Sequence, residues 1–118
     1  MRQAIALDTI KPLEQAQVRL RQGEKGSTEL YFVVSEDGRQ LDLSDYDSVL
    51  FVGVCNDVKV EEECTVDALG NALLTVTENM TKEAGRYTLA YLKLVISDSY
   101  LVTCQAIDVE VLPGVEGY

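Results

Sequence analysis

Two groups of carboxylates are the residues whose type and spacing could bind an ion or catalyse a reaction. Asp42, Asp45 and Asp47 lie close together, and residues 61–63 are all glutamate. Clustered oxygen atoms suit calcium, and two carboxylates at a suitable separation can hydrolyse a glycosidic bond. The spacing does not match a calcium loop, however, and a domain with short loops rarely supplies a sugar-sized cleft. We therefore interpret both groups as solvated surface.

The other reactive side chains give no catalytic arrangement. The chain has no histidine, so a serine or cysteine nucleophile would lack its usual base. Cys55, Cys64 and Cys104 have no metal-ligand spacing, and their odd number favours buried thiols in a reducing cytoplasm, although one disulfide stays possible. The sequence therefore predicts no enzyme, no metal and no cofactor.

The charge balance limits the classes of partner. Ten basic and 20 acidic residues give a net charge of -10, which repels a phosphate backbone. The sequence also contains no apolar run of membrane-spanning length. Neither nucleic acid nor membrane is therefore expected as a partner, whereas cationic protein surfaces remain possible.

The elements that must position these residues are strands. Apolar and polar residues alternate with a period of two, and turn-forming residues such as Asp37-Gly38 separate the runs. The pattern predicts an all-β, antiparallel, immunoglobulin-like β-sandwich of about seven to nine strands. It would form a single domain over residues 1–112, followed by a short C-terminal tail, 113–118. The main predicted strands are 4–7, 16–21, 29–35, 48–55, 58–66, 72–77, 86–96 and 100–112.

The predicted strand 48–55 is apolar on both faces. Leu50, Val52 and Val54 lie on the face opposite Val49 and Phe51. In a sandwich only one face of a sheet meets the core, so the second face needs a helix, a folded-back terminus or another subunit to cover it. We interpret Leu50, Val52 and Val54 as an interface. Gly53, in the same run, indicates a bulge or a close backbone approach.

The segment that opens the predicted strand 86–96 has a Gly-x-Tyr spacing. Gly85 and Tyr87 resemble the tyrosine corner of immunoglobulin-like sandwiches, in which the tyrosine hydroxyl binds nearby backbone. The chain has no tryptophan, and Leu89 stands where antibody domains have a cysteine, so any likeness is one of architecture. We expect a structural role for this pair.

The tyrosines support an alternative function, because aromatic rings on a sandwich can stack against sugars. Tyr31, Tyr87 and Tyr91 fall within predicted strands, where packing is the simpler role. The other three lie at element ends: Tyr46, Tyr100 and Tyr118. A module that binds cell-wall glycans is therefore the competing hypothesis.

A family resemblance rests on the order of several segments. A basic-polar strand ends in Gln22-Gly23-Glu24, an Asp-Gly turn precedes "LDLS", and "ENMT" precedes Gly85-x-Tyr87. Over nearly the whole chain this series resembles the N-terminal domain of baseplate upper proteins from phages of Gram-positive bacteria. In that family the domain is a β-sandwich that fastens to the tail tip, and the upper protein oligomerises.

The resemblance implies a non-enzymatic structural protein of a phage or prophage tail. It would be made in the bacterial host cytoplasm and incorporated into the virion baseplate. It would dock to other tail proteins and form a homo-oligomer. We expect Arg19, Arg21 and Gln22, on the strand quoted for the resemblance, to add a polar contact line to the apolar interface.

Overall fold

The computed structural model describes residues 1–11, 14–97 and 100–114. Nine strands in this part of the chain span four residues or more: β1 (Arg2–Asp8), β2 (Gln17–Arg21), β3 (Glu29–Glu36), β5 (Ser48–Cys55), β6 (Val58–Glu63), β8 (Ala72–Thr75), β10 (Leu89–Ser97), β11 (Tyr100–Thr103) and β12 (Asp108–Leu112). Three shorter strands are β4 (Arg39–Gln40), β7 (Thr65–Val66) and β9 (Gly85–Arg86). The described residues also form two short helices: a 3-10 helix (Leu43–Asp45) and α1 (Glu78–Thr81). Most of the predicted tail, residues 115–118, lies outside the described residues.

The strands form three sheets, which confirms the all-β prediction. The first has the order β1-β3-β8-β7, with β4 also pairing with β3; the second is β11-β10-β5-β6, and the third is β2-β12-β9. The expectation of a wholly antiparallel fold is wrong, because β1 pairs with β3 and β2 pairs with β12 in parallel. The immunoglobulin-like arrangement stays a prediction. In the described ranges no helix has the length and apolar character needed to span a bilayer.

The two longest predicted strands are each divided because the chain moves from one sheet to another. The Tyr87 N–H donates to the Val109 carbonyl in the three-stranded sheet, at 2.8 Å, whereas the Thr88 N–H donates to Val54 in the four-stranded sheet, at 2.9 Å. Residues 104–107 make the second transfer, from β11 to β12. The buried positions shift by one residue at both transfers, from Tyr87 to Ala90 and from Cys104 to Ile107. A strand prediction based on one unbroken period of two therefore does not reveal these transfers.

One hydrophobic core receives side chains from all three sheets. Phe32, Phe51 and Val109 represent the three sheets in this buried cluster. The three cysteines are free and buried. Burial raises the pKa of both Cys64 and Cys104 to about 12, so these thiols stay protonated at neutral pH and pack as small apolar groups.

A buried carboxylate fixes the end of β1 to the hairpin between β3 and β4. Asp37 and Gly38 have φ angles of 51° and 86°, which confirms the predicted Asp-Gly turn. Asp8 Oδ1 accepts hydrogen bonds from the N–H groups of Ile10, Lys11 and Asp37 at 2.8, 2.8 and 3.1 Å, and Oδ2 accepts from Gly38 at 3.0 Å. Four backbone donors therefore converge on one side chain, which is 2% exposed.

Candidate functional site

The outer face of the four-stranded sheet carries the apolar residues that the sequence singled out. Val49 and Phe51 of β5 belong to the core, so Leu50, Val52 and Val54 point away from it. On β10, Tyr91 stands opposite Val52, and Leu89 stands opposite Val54. We call this surface, formed by Leu50, Val52, Val54, Leu89, Tyr91, Val95 and Leu101, the outer face.

The outer face is not evenly exposed. Val52 is only 4% exposed although it lies outside the core cluster, because Tyr91 and Glu61 flank it on the two neighbouring strands. Leu89 and Leu101 are 48% and 52% exposed. The apolar area open to a partner therefore lies towards β10 and β11. The sequence pattern missed these two leucines, because the register of β10 and β11 against β5 is needed to place them on this surface.

Arg19 lies on another sheet, within a network of charges. Its guanidinium is 3.2 Å from Glu110 Oε1 and 3.9 Å from Asp108 Oδ2, both on the paired strand β12. Arg86, on the far side of β12, binds the same two carboxylates. Hydrogen bonding and the charge of Asp108 raise the pKa of Arg86. The positive charge of Arg19 is thus matched by carboxylates of its own sheet.

Gln22 holds the end of β12 and the residues that follow it. Its N–H donates to the Leu112 carbonyl at 2.8 Å, and its side-chain amide donates to the Lys82 carbonyl at 3.2 Å. The Gly114 N–H in turn approaches Gln22 Oε1 at 3.4 Å. Arg21 is exposed beside it. The structure thus places Arg19, Arg21 and Gln22 on or beside the three-stranded sheet, separate from the sheet that contains Leu50, Val52 and Val54.

Tyr87 lies between the sheets, where the chain crosses. Its hydroxyl donates to the Met80 carbonyl at 2.8 Å, and its ring packs edge-on against Phe51 with centroids 6.1 Å apart. Burial raises the pKa of Tyr87. Gly85 has a φ of 133°, a region that side chains disfavour. The ring also explains Gly53: a Cβ there would lie 2.5 Å from Tyr87 Cε2, which is the predicted close approach.

We expect Tyr87→Phe to lower the free energy of unfolding by about 1–2 kcal/mol, because the ring stays while the buried Met80 carbonyl loses its donor. Denaturant titration measures the loss. Tyr91→Phe is the matched control: Tyr91 is half-buried on the outer face, and its change should stay within about 0.5 kcal/mol. Equal effects at the two positions would contradict a structural role of the Tyr87 hydroxyl.

One carboxylate of each group, Asp42 and Glu61, has a role in local structure. Asp42 caps the 3-10 helix by accepting from the Ser44 N–H and hydroxyl, and these bonds lower the pKa of Asp42. Glu61 forms ion pairs with Lys59 and Lys93, at 3.8 and 3.6 Å. Among the described residues no group of three acidic or cysteine side chains is placed to hold a metal ion.

The tyrosines are scattered over the fold. Tyr87 is buried, and Tyr46 packs partly against the core. The Tyr31 hydroxyl donates to Asp67 at 2.7 Å, and the Arg2 guanidinium lies 4.9 Å from the centre of its ring. Tyr100 begins β11, and Tyr118 lies outside the described residues. Of the tyrosines whose side chains the structure describes, Tyr91 is therefore the one whose ring is placed on the outer face.

Comparison with known proteins gives one family and one fold. The chain matches the family model described as "BppU N-terminal domain" over residues 1–115. Among solved structures it is similar to the N-terminal domain of phage TP901-1 ORF48, with a TM-score of 0.73 and 17% sequence identity, covering 94% of this chain and 98% of that one. No curated protein matches. The family match spans almost the whole sequence, and the chain therefore belongs to the family of baseplate upper protein N-terminal domains, structural components of phage tails.

Proposed function

We propose that this chain is a non-enzymatic structural domain of a phage or prophage baseplate that docks to other tail proteins and self-associates through its outer face. The family supports a structural role in the virion tail. The observation that carries the docking proposal is two half-exposed leucines on the sheet face opposite the core: Leu89, two residues from Tyr91 on β10, and Leu101, opposite Val95 on β11. Association with a partner removes this exposed apolar area from water, and the free energy of that removal favours the complex.

Leu50, Val52 and Val54 have a supporting role in this proposal. They form the part of the outer face next to β10, where Val52 and Val54 stand opposite Tyr91 and Leu89, and Leu50 stands opposite Lys93. The charge network of Arg19, Asp108 and Glu110 lies on the three-stranded sheet, separate from the outer face. In our proposal, Arg19, Arg21 and Gln22 form a second, polar contact with a tail protein there.

We expect Leu101→Glu to weaken self-association by about tenfold or more, because a buried charge would replace an apolar anchor. Light scattering at increasing protein concentration measures the change. Leu69→Glu is the matched control: Leu69 is 74% exposed in the turn before β8, away from the outer face, and its variant should associate like the wild type. A wild-type protein that stays monomeric and binds cell-wall polysaccharide would overturn the proposal in favour of a glycan-binding module.

A further inference from the structure

Among the described residues, none pairs with the backbone groups along the outer edge of β6, which a second chain could therefore use. β6 is the last strand of the four-stranded sheet. It joins β5 through the two-residue turn Asn56-Asp57, and the Cys64 N–H donates to the Val49 carbonyl at 2.8 Å. Because antiparallel pairs alternate, Val58, Val60 and Glu62 exchange hydrogen bonds with β5. The N–H and C=O groups of the residues between them, 59, 61 and 63, point away from the sheet.

A cavity of about 360 Å³ lies beside this edge. Residues Val58 to Glu62 of β6 line one side, and Met80, Lys82 and Glu83 line another. Val60 and Met80 are buried apolar residues, and Val58 is an exposed one. An extended segment that paired with β6 would direct alternate side chains to opposite faces, so every second side chain would face this cavity.

The charges along the outer edge of β6 indicate which kind of segment could pair with it. Residues 61–63 are glutamates, and Glu83 lies across the cavity. Of the nearby lysines, Lys59 and Lys93 both pair with Glu61, and Lys82 lines the cavity beside Glu83. A second copy of β6 paired antiparallel about Glu61 or Glu62 would place glutamate opposite glutamate, which is unfavourable. A basic side chain opposite Glu61 or Glu63 is instead favourable, and an apolar side chain beside Val60 would enter the cavity.

We propose that β6 accepts an extended segment of another protein in which basic and apolar residues alternate. The segment adds a fifth strand to the four-stranded sheet. Its backbone pairs with residues 59, 61 and 63, its basic side chains face Glu61 and Glu63, and its apolar side chains occupy the cavity. The inference deepens the proposed docking function by naming an edge and the chemistry of one partner segment, and it concerns a surface other than the outer face.

A capped hexapeptide of alternating lysine and valine tests the proposal, with a hexapeptide of alternating glutamate and valine as the control peptide. Fluorescence anisotropy should show binding of the first and none of the second, weakening as salt is added. In amide NMR spectra the largest changes should fall on Lys59, Glu61 and Glu63. Equal binding of the two peptides, or no binding of either, would overturn the proposal.

Proline substitutions separate backbone pairing from charge. Glu61→Pro removes an outward N–H and leaves the bonds to β5 intact, so it should weaken peptide binding by about tenfold or more. Glu61→Gln keeps the N–H and should change binding by only about threefold. Thr103→Pro makes the same change on β11, the opposite edge of the sheet, and should have no effect.

Wild-type affinity in Glu61→Pro would refute pairing along β6. If Glu61→Pro does not fold, hydrogen exchange in the wild type decides: the peptide must slow exchange of the amides at 59, 61 and 63, and unchanged rates would refute the proposal. Leu101→Glu should bind the peptide normally, so failure of this inference and failure of the proposed self-association are distinguishable.

Discussion

Asp8→Asn should lower the melting temperature by roughly 10 °C near pH 7. Three backbone N–H groups bind Asp8 Oδ1 and a fourth, from Gly38, binds Oδ2. An asparagine retains one oxygen but places an NH₂ group against the remaining N–H, so two donors face each other in a buried site. Thermal unfolding followed by circular dichroism measures the difference.

Asp42→Asn is the matched control for this substitution. Asp42 also accepts hydrogen bonds, from the Ser44 backbone and hydroxyl, but its side chain is exposed and an asparagine caps a helix equally well. We expect a change of only about 2 °C or less. Similar decreases in melting temperature for the two variants would show that the four hydrogen bonds to Asp8 do not stabilise the fold more than the cap at Asp42 does.

The stabilising effect of Asp8 should depend on pH in a defined direction. Its backbone donors hold the pKa of Asp8 far below the value of about 3.9 that it has in an unfolded chain. A pKa that is lower in the folded chain than in the unfolded chain adds stability to the fold. This stability is fully present at pH values above the pKa of the unfolded chain, and it is lost as pH falls towards the pKa of the folded chain. The difference in melting temperature between wild type and Asp8→Asn should therefore shrink from pH 6 to pH 3. A constant difference would contradict this assignment.

Gly53→Ala should lower the free energy of unfolding by about 2–3 kcal/mol. The added Cβ would lie 2.5 and 2.6 Å from two atoms of the Tyr87 ring and 3.3 Å from the Leu89 carbonyl oxygen. The ring cannot move aside easily, because its hydroxyl binds Met80 and its edge packs against Phe51. Equilibrium denaturation with urea measures the loss.

A double-mutant cycle provides the control for Gly53→Ala. In a Tyr87→Leu background the ring is absent, so the alanine should cost about 1 kcal/mol or less relative to that background. Strict additivity of the two substitutions would mean that Gly53 is required for a reason other than its contact with Tyr87.

The sequence predicts those features of the fold that depend on neighbours along the chain. The bounds of β5 agree with the predicted strand 48–55, because a β-prone apolar run ends at the Asn56-Asp57 turn. The role of Asp8 could not be predicted. Two of its donors, Asp37 and Gly38, lie 29 and 30 residues away and approach it only through the parallel pairing of β1 with β3.

For the outer face, the sequence predicted which side of β5 each residue occupies but not how exposed each residue is. Alternation along β5 placed Leu50, Val52 and Val54 opposite the core, as the structure has them. The exposed fraction of each side chain could not be predicted from the sequence, because it depends on which side chains of β6 and β10 flank each residue. Val52 is covered by such neighbours, whereas Leu89 and Leu101, in regions interpreted only as strands, provide the open apolar area.

The pairing of β2 with β12 has a consequence for how the protein is made. A strand from the first fifth of the chain finds its partner only in residues 108–112. Until a ribosome has released residues 108–112, the backbone groups of β2 that bind β12 have no partner strand. Contacts between such distant segments slow folding, so the three-stranded sheet must remain incomplete while the residues between β2 and β12 are synthesised. Chaperones that shield exposed strand edges would act during this interval.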